Sequence, residues 1–239
     1  MPKYTGLLID LDDTILRSFE RYPVALKYTV GVLSKRFGVN NEELLEAVFK
    51  TKRDLRLIMP NLPLGHNRLV VFRAALDIVG AKYKLDQLAD ISDLFWSKFL
   101  EDVKIFDGAV EALDILRENK VKVIVVSDGD LAYRLKKIAK TGIVDHIDDL
   151  VASEEVVFEK PFRSLFDLAL RRIDKKPNEV VMLGNHLIKD VHGAQQAGIR
   201  AGLFSPKKGG NVYGKEVEDF IKPNFVVREY TDLLKGFGL

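Results

Sequence analysis

The sequence reads as an α/β protein with a parallel sheet, interrupted after its first strand by a block of helices. Three observations carry that reading. Short apolar runs rich in Val, Leu and Ile recur along the chain, each bounded by Gly, Asp or Ser. Segments with helical apolar spacing lie between them, and such alternation argues for a parallel sheet. The region from Phe19 to Val103 is different: it has no clear strand run and several amphipathic helical patterns.

The expected strands, in order, are Gly6–Ile9, Val121–Val126, Leu150–Ala152, Val180–Leu183, Ala201–Phe204 and Phe225–Val227. Near-continuous apolar runs suit strands covered on both faces. Between them, Val110, Leu113 and Leu116 share one helix face, and Phe162, Leu165, Phe166, Ala169, Leu170 and Ile173 share another. In the interrupting block, Asn40 with Glu43 three residues on marks a helix start before Leu44, Leu45 and Val48. Tyr28–Phe37, Arg68–Val79 and Leu85–Leu100 also read as helices, around a turn-like stretch from Pro60 to Gly65. The expected division is residues 1–18 with 104–239 as the α/β core, and 19–103 as the helical insertion.

Composition narrows the function classes. The 239 residues are 47% hydrophobic and 30% charged, as in an ordinary globular protein. Thirty-seven Lys and Arg against 35 Asp and Glu, interspersed, leave no nucleic-acid footprint. The chain has no cysteine, which excludes disulfides, thiolate catalysis and Cys-ligated zinc or iron–sulfur. The start of the chain runs directly into a strand-like segment and does not read as a signal peptide. Apolar runs fall well short of the ~20 residues of a membrane span, so a cytoplasmic location without membrane partners is expected.

Chemistry concentrates at the strand ends. The first strand runs into Asp10-Leu11-Asp12-Asp13-Thr14. Ligands bind beyond the carboxyl ends of parallel strands, and three crowded acids there invite a hard cation such as magnesium. One carboxylate can attack phosphorus, and a second two residues on can trade protons. The alternative is a solvated acidic turn. The second strand ends in Ser127-Asp128-Gly129, where a hydroxyl can donate to a phosphate oxygen; a plain turn is the other reading. Lys160 before Pro161 can neutralise phosphate charge, or be one more solvated lysine. Asp190 follows Gly184-Asn185-His186, as an oxygen ligand for a metal or as an acid favoured by a helix dipole.

Taken in order, these residues resemble the motifs of the haloacid dehalogenase-like (HAD) hydrolase superfamily over nearly the whole chain. Its DxDx[TV] motif matches Asp10 to Thr14, its Ser or Thr matches Ser127, its Lys matches Lys160, and its Gly-Asp followed by a later Asp matches Gly184-Asn185 with Asp190. The resemblance implies a Rossmann-like, three-layer α/β/α core with a helical cap inserted between the first two motifs. The short gap between Ser127 and Lys160 leaves little room for the other cap type. It implies a magnesium-dependent phosphatase acting on a small phosphate ester. Asp10 is then the nucleophile, Asp12 the general acid and base, and Ser127, Asp128 and Lys160 the phosphate-binding residues. Asp10, the Asp12 carbonyl, Asp190 and Asn185 are then the magnesium site. His66, Asn67 and Arg68, beside the cap's turn, are candidate substrate-facing residues; they equally well start a helix. A monomer or homodimer fits.

One departure stands out. Asn185 occupies a position where most members have Asp, so the magnesium site is expected to be weaker. Dehalogenases of the superfamily share an Asn there but lack an acid at the Asp12 position, as does the phosphonate-cleaving branch. Asp12 therefore favours phosphate esters, whose leaving oxygen wants a proton. A phosphomutase, or a binding protein on a retired scaffold, are the remaining alternatives. His186 is expected in a surface loop, and His146 and His192 are expected to be structural.

Overall fold

The computed structural model describes residues 3–239; Met1 and Pro2, assigned above to the α/β core, lie outside the described residues. All six expected strands form: β1 (Gly6–Ile9), β2 (Lys122–Ser127), β3 (Asp149–Ala152), β4 (Val180–Gly184), β5 (Arg200–Phe204) and β6 (Phe225–Val227). They make one sheet in the order β3-β2-β1-β4-β5-β6, and every neighbouring pair is parallel. Nine α-helices occur among the described residues: α1 (Arg21–Phe37), α2 (Asn41–Ile58), α3 (Arg68–Ile78), α4 (Ile91–Leu100), α5 (Ala109–Glu118), α6 (Leu131–Thr141), α7 (Arg163–Ile173), α8 (Gly193–Gln196) and α9 (Tyr230–Phe237). None is long and apolar enough to cross a membrane.

The sheet is buried on both faces. Side chains of successive strand residues point to opposite faces. Leu8, Ile124, Val126, Val180 and Met182 join Leu165, Phe166, Ala169 of α7 and Ala194 of α8 in one core cluster. Leu7, Ile9, Val123 and Val125, at the alternate positions, are equally inaccessible, and α5 and α9 pack against each other with α5 on β2. This is the Rossmann-like α/β arrangement. The strand order reverses at β1, which pairs with β2 on one side and β4 on the other. A crevice opens at such a switch point, beyond the carboxyl ends.

Backbone contacts divide the chain into two compact units: one runs up to Phe19 and resumes at Lys104–Leu239, the other is Glu20–Val103. The second unit is all-helical. Here α1 packs on α4 and α2 on α3, burying Leu26, Val30, Leu44, Val48, Phe72 and Phe95. Asn40 caps α2 through Oδ1, which accepts from the N–H groups of Glu42 and Glu43. Two helix expectations need correction. The first helix starts at Arg21 rather than Tyr28; Pro23 is tolerated in a first turn, and its buried Ala25 and Thr29 masked the apolar stripe. The single helix expected over Leu85–Leu100 is broken into a 3₁₀ turn, Leu85–Leu88, and α4. Arg36 clasps the break: its guanidinium donates to both Asp90 oxygens and to the Gln87 carbonyl.

The residues proposed to face substrate have structural engagements inside this unit. His66 ends a 3₁₀ turn, Pro63–His66. Asn67 caps α3, its Oδ1 accepting from Val70 N–H at 3.1 Å. Arg68 is buried, its guanidinium 5.2, 4.9 and 5.4 Å from the ring centres of Tyr22, Phe95 and Trp96. Lys52 sits beside it, donating to Tyr22 Oη at 2.5 Å. Burial, with Arg68 and Arg56 nearby, pushes the Lys52 ammonium down to about 7.

A base with a lowered folded pKa is a stability cost that is fully present below that pKa and disappears toward the unfolded value. Between pH 7 and 10 the unfolded chain holds more protons at Lys52, so stability should rise with pH. The contribution is at most about 1.4 kcal/mol per pH unit. Urea denaturation at pH 7, 8.5 and 10 should therefore show Lys52→Met more stable than wild type at pH 7, with the advantage shrinking as pH rises. A constant difference across that range would refute the assignment.

Candidate active site

The switch point gathers the acids. β1 delivers Asp10, whose backbone N–H donates to the Leu183 carbonyl of β4 at 2.9 Å. β4 runs out through Gly184 into Asn185, then a π-helical turn, Leu187–His192, which carries Asp190. Lys160 closes the group. Its ammonium donates to Asp10 Oδ1 at 2.6 Å, to Asp190 Oδ1 at 2.7 Å and to the Val126 carbonyl of β2 at 3.1 Å. All three side chains are buried. Thr14 Oγ1 reaches Asp10 Oδ2 at 3.3 Å, and His186 N–H donates to Asp190 Oδ2 at 2.9 Å.

Charge follows from that geometry. Burial, opposed by Lys160 and reinforced by Asp190, pushes the Asp10 carboxyl up to about 7. Burial works against the Lys160 ammonium, but Asp10, Asp190 and Asp128 hold it charged well above the ordinary lysine range. The cluster is short of positive charge, and its side-chain donors are hard oxygens. Among the described residues no group of three or more His, Cys, Asp or Glu could hold a metal by itself. Two carboxylates with a backbone carbonyl fit magnesium, which keeps several waters and leans on substrate phosphates.

Asp12 and Asp13 have partners of their own. Asp12 Oδ1 accepts from Ser18 Oγ and from Lys137 Nζ, and the Arg134 guanidinium lies 3.8 Å from Oδ2. Burial works against the charge on Asp12, but Lys137 and Arg134 outweigh it and hold the carboxyl well below the usual range. Asp13 has a positive φ of 57°; its Oδ1 accepts from Phe19 N–H at 2.7 Å and its Oδ2 from Tyr213 Oη at 3.1 Å. Burial lifts its carboxyl to about 6.

Ser127 ends β2 and is 1% exposed, two residues past Val125, the register partner of Ile9 in β1. Asp128, expected among the phosphate-binding residues, has its carboxylate engaged within the protein. Its carboxylate accepts from the Lys160 backbone N–H at 2.9 Å and from Lys189 Nζ at 2.8 Å. It braces the lysine loop, and an anion so placed repels a phosphate. Lys189 also donates to buried Glu159 at 2.9 Å. Asn185, 3% exposed, donates through Nδ2 to the Asn211 carbonyl at 2.7 Å. His186 is half-buried and not a surface loop residue: it caps the π-turn and lies 5.9 Å from the Tyr213 ring. His146 Nδ1 meets Asp114 at 2.6 Å.

The sequence reading missed Arg134, Lys137, Lys189 and Tyr213. A signal existed for two of them. Arg134 and Lys137 share the face of α6 that buries Ile138, while Leu135 on the opposite side is exposed. Cations on the inner face of a helix that follows a site strand are a cue for buried charge.

Gly184 is a geometric requirement of the site. A Cβ there would lie 2.3 Å from both Cγ and Oδ2 of Asp190. Gly184→Ala should cost about 1–3 kcal/mol in chemical denaturation, in the range of overpacking. Adding Asp190→Ala should recover part of that loss, a coupling that a double-mutant cycle reads directly. Strict additivity would show that the clash is relieved elsewhere.

Comparisons with known proteins follow the same outline. The ribulose-1,5-bisphosphate 5-phosphatase of Halopiger xanaduensis is 29% identical over 210 residues, covering 85% of this chain and 86% of that protein. A glyceraldehyde 3-phosphate phosphatase of Methanopyrus kandleri is 27% identical over 220 residues, covering 90% and 91%. In structure, the Bacillus subtilis protein YfnB, described as a HAD-hydrolase and bound to magnesium, superposes with a TM-score of 0.71 at 22% identity, over 99% of this chain and 100% of that one. The family model for haloacid dehalogenase-like hydrolases matches residues 4–198, and the chain belongs to that family.

Proposed function

We propose that this hydrolase is a magnesium-dependent phosphatase of small phosphorylated metabolites, working through an aspartyl-phosphate on Asp10. The observation that carries the proposal is the convergence of Asp10 and Asp190 on the Lys160 ammonium at the switch point of the sheet. A nucleophile, a metal-ligating acid and a phosphate-binding cation are needed within one small volume, and these three are in contact. The phosphatase relatives support the same reaction class.

Magnesium would be held by Asp10, Asp190 and the Asp12 carbonyl, with Asn185 beside them, and would neutralise charge on the phosphoryl oxygens. The remaining work belongs to the chain. An Asp10 oxygen attacks phosphorus as the ester P–O bond breaks, and the leaving oxygen takes a proton. Water then attacks the phosphoryl group on Asp10, releasing phosphate and restoring the carboxylate. Lys160 and Ser127 orient the phosphoryl oxygens, and Asp128 acts by holding Lys160 in place. Positioning and charge compensation account for most of such a reaction.

Asp12 is suited to the second half. Held ionised by Lys137 and Arg134, it is ready to accept a proton from water. The proton that Asp12 takes from water in the second half is the one it gives to the leaving oxygen of the next ester, so the proton balance closes on this carboxylate. The acid at this position also separates the chain from the dehalogenase reading, since a halide leaves without a proton.

Phosphate release from an aryl phosphate should require magnesium and fall by on the order of 10³-fold or more in Asp10→Asn. Asp12→Asn should lose roughly 10²–10⁴-fold, the usual yield of general acid–base catalysis. Ribulose 1,5-bisphosphate and glyceraldehyde 3-phosphate head the metabolite screen. Turnover that survives Asp10→Asn would sink the covalent mechanism, and no turnover of any tested ester would favour a retired scaffold.

A further inference from the structure

Position 185, directly after β4, carries a buried amide. We propose that Asn185 is a latch: its side-chain N–H ties the Ser205–Gly214 segment to the end of β4, a bond that aspartate could not make. The inference stands on geometry and does not depend on the reaction.

Asn185 Nδ2 donates to the Asn211 carbonyl at 2.7 Å, and the residue is 3% exposed. A carbonyl is an acceptor only, and so is an ionised carboxylate. Aspartate here would set two acceptors against each other, with little water to separate them, and leave a buried polar group unpaired.

The latch extends an existing anchor. Tyr213 N–H donates to the Asn185 carbonyl at 3.0 Å, and Leu187 N–H donates to the Tyr213 carbonyl at 2.9 Å. The Tyr213 hydroxyl reaches Asp13 Oδ2 at 3.1 Å, in the acidic turn after β1. Gly214 abuts the His186 ring: a Cβ there would lie 3.2 Å from it. Tyr213 therefore fixes one end of the segment to both acid-bearing turns of the site. The Asn185 bond carries that fixation two residues further, to Asn211. Beyond it lie Lys207, Lys208, Gly209 and Gly210, all exposed. Without the bond, the segment is held at Ser205 by the Val227 carbonyl and at Tyr213, with an exposed ion pair from Lys207 to Glu229 between them.

Lys207 and Lys208 supply the readout, because trypsin cleaves after lysine only when the backbone can leave its folded path. Native-state cleavage follows the population of the opened form. Loss of one buried hydrogen bond should raise that population about tenfold. Limited tryptic digestion of the full chain, with peptides identified by mass spectrometry, is run on wild type, Asn185→Asp and Asn185→Ala. Both variants should be cut after Lys207 or Lys208 about tenfold faster, with cleavage inside α7 unchanged. The alanine variant adds no charge beside the acids, so it carries the test where the aspartate variant does not fold. Wild-type cleavage rates in the variants would overturn the latch. A rate rise shared equally by α7 sites would overturn it too, by showing global loss of stability. Calorimetric titration with magnesium alone separates the rival reading: tighter binding to Asn185→Asp with unchanged loop cleavage would return Asn185 to the metal.

Discussion

One ammonium group between two buried carboxylates is the constraint on which the carboxyl edge of the sheet depends. Lys160 can reach Asp10 and Asp190 only because β1 and β4 are neighbours, as the strand order makes them. The Asp190 side chain fits against the strand end only because residue 184 has no Cβ. The lysine loop is held in turn: Asp128 accepts the Lys160 N–H, and Lys189 bridges Asp128 to Glu159. Each of these contacts joins elements distant in sequence. Breaking one partner of such a buried pair leaves an uncompensated charge, which costs more than the pair contributes.

The second ion pair gives the two aspartates of the DxD motif different characters. Two residues apart, Asp10 and Asp12 meet opposite environments. Burial raises the carboxyl at Asp10, whereas at Asp12 burial is outweighed by Lys137, Arg134 and Ser18 together and the carboxyl is lowered. Environments that drive paired titratable groups apart are how one site obtains two chemical roles. Here the difference comes from α6, which follows β2 and turns two cations inward.

Much of this was legible in the sequence, for a physical reason. Strands covered on both faces must be apolar, so the central ones could be located from Val, Leu and Ile, and β5 and β6 from short runs that draw also on Ala and Phe. Asp10, Lys160 and Asp190 sit at the ends of such strands or just beyond, where the chain has few other uses for buried charge. Partners set by tertiary packing were harder to read. Arg134 and Lys137 lie in a Lys-rich helix and look solvated until the face carrying Ile138 is known to be inward. Asn67 and Arg68 had two readings, ligand contact or helix start: Asn67 caps a helix, and Arg68 lies among aromatic rings that its sequence neighbours do not reveal. The helix break at Asp90 was hidden because only Arg36, far away in sequence, reveals it.

Charge balance connects the amide at 185 with the metal. The linked groups at the strand ends are Asp10, Asp12, Asp13, Asp128, Glu159 and Asp190 against Arg134, Lys137, Lys160 and Lys189. If all are ionised, six acids face four bases, an excess of two negative charges. Burial raises the carboxyls of Asp10 and Asp13, and the neighbouring acids add to the shift. A dication would cancel it without any acid at 185, whereas an aspartate there would add a third charge to be matched. The Asn185 side chain is instead engaged with a backbone carbonyl. In the magnesium-loaded site that the proposed function calls for, Asp10 and Asp190 would no longer depend on Lys160 for their charge. The ammonium would then be available to phosphoryl oxygens, and the contact that organises the folded site would also serve substrate binding.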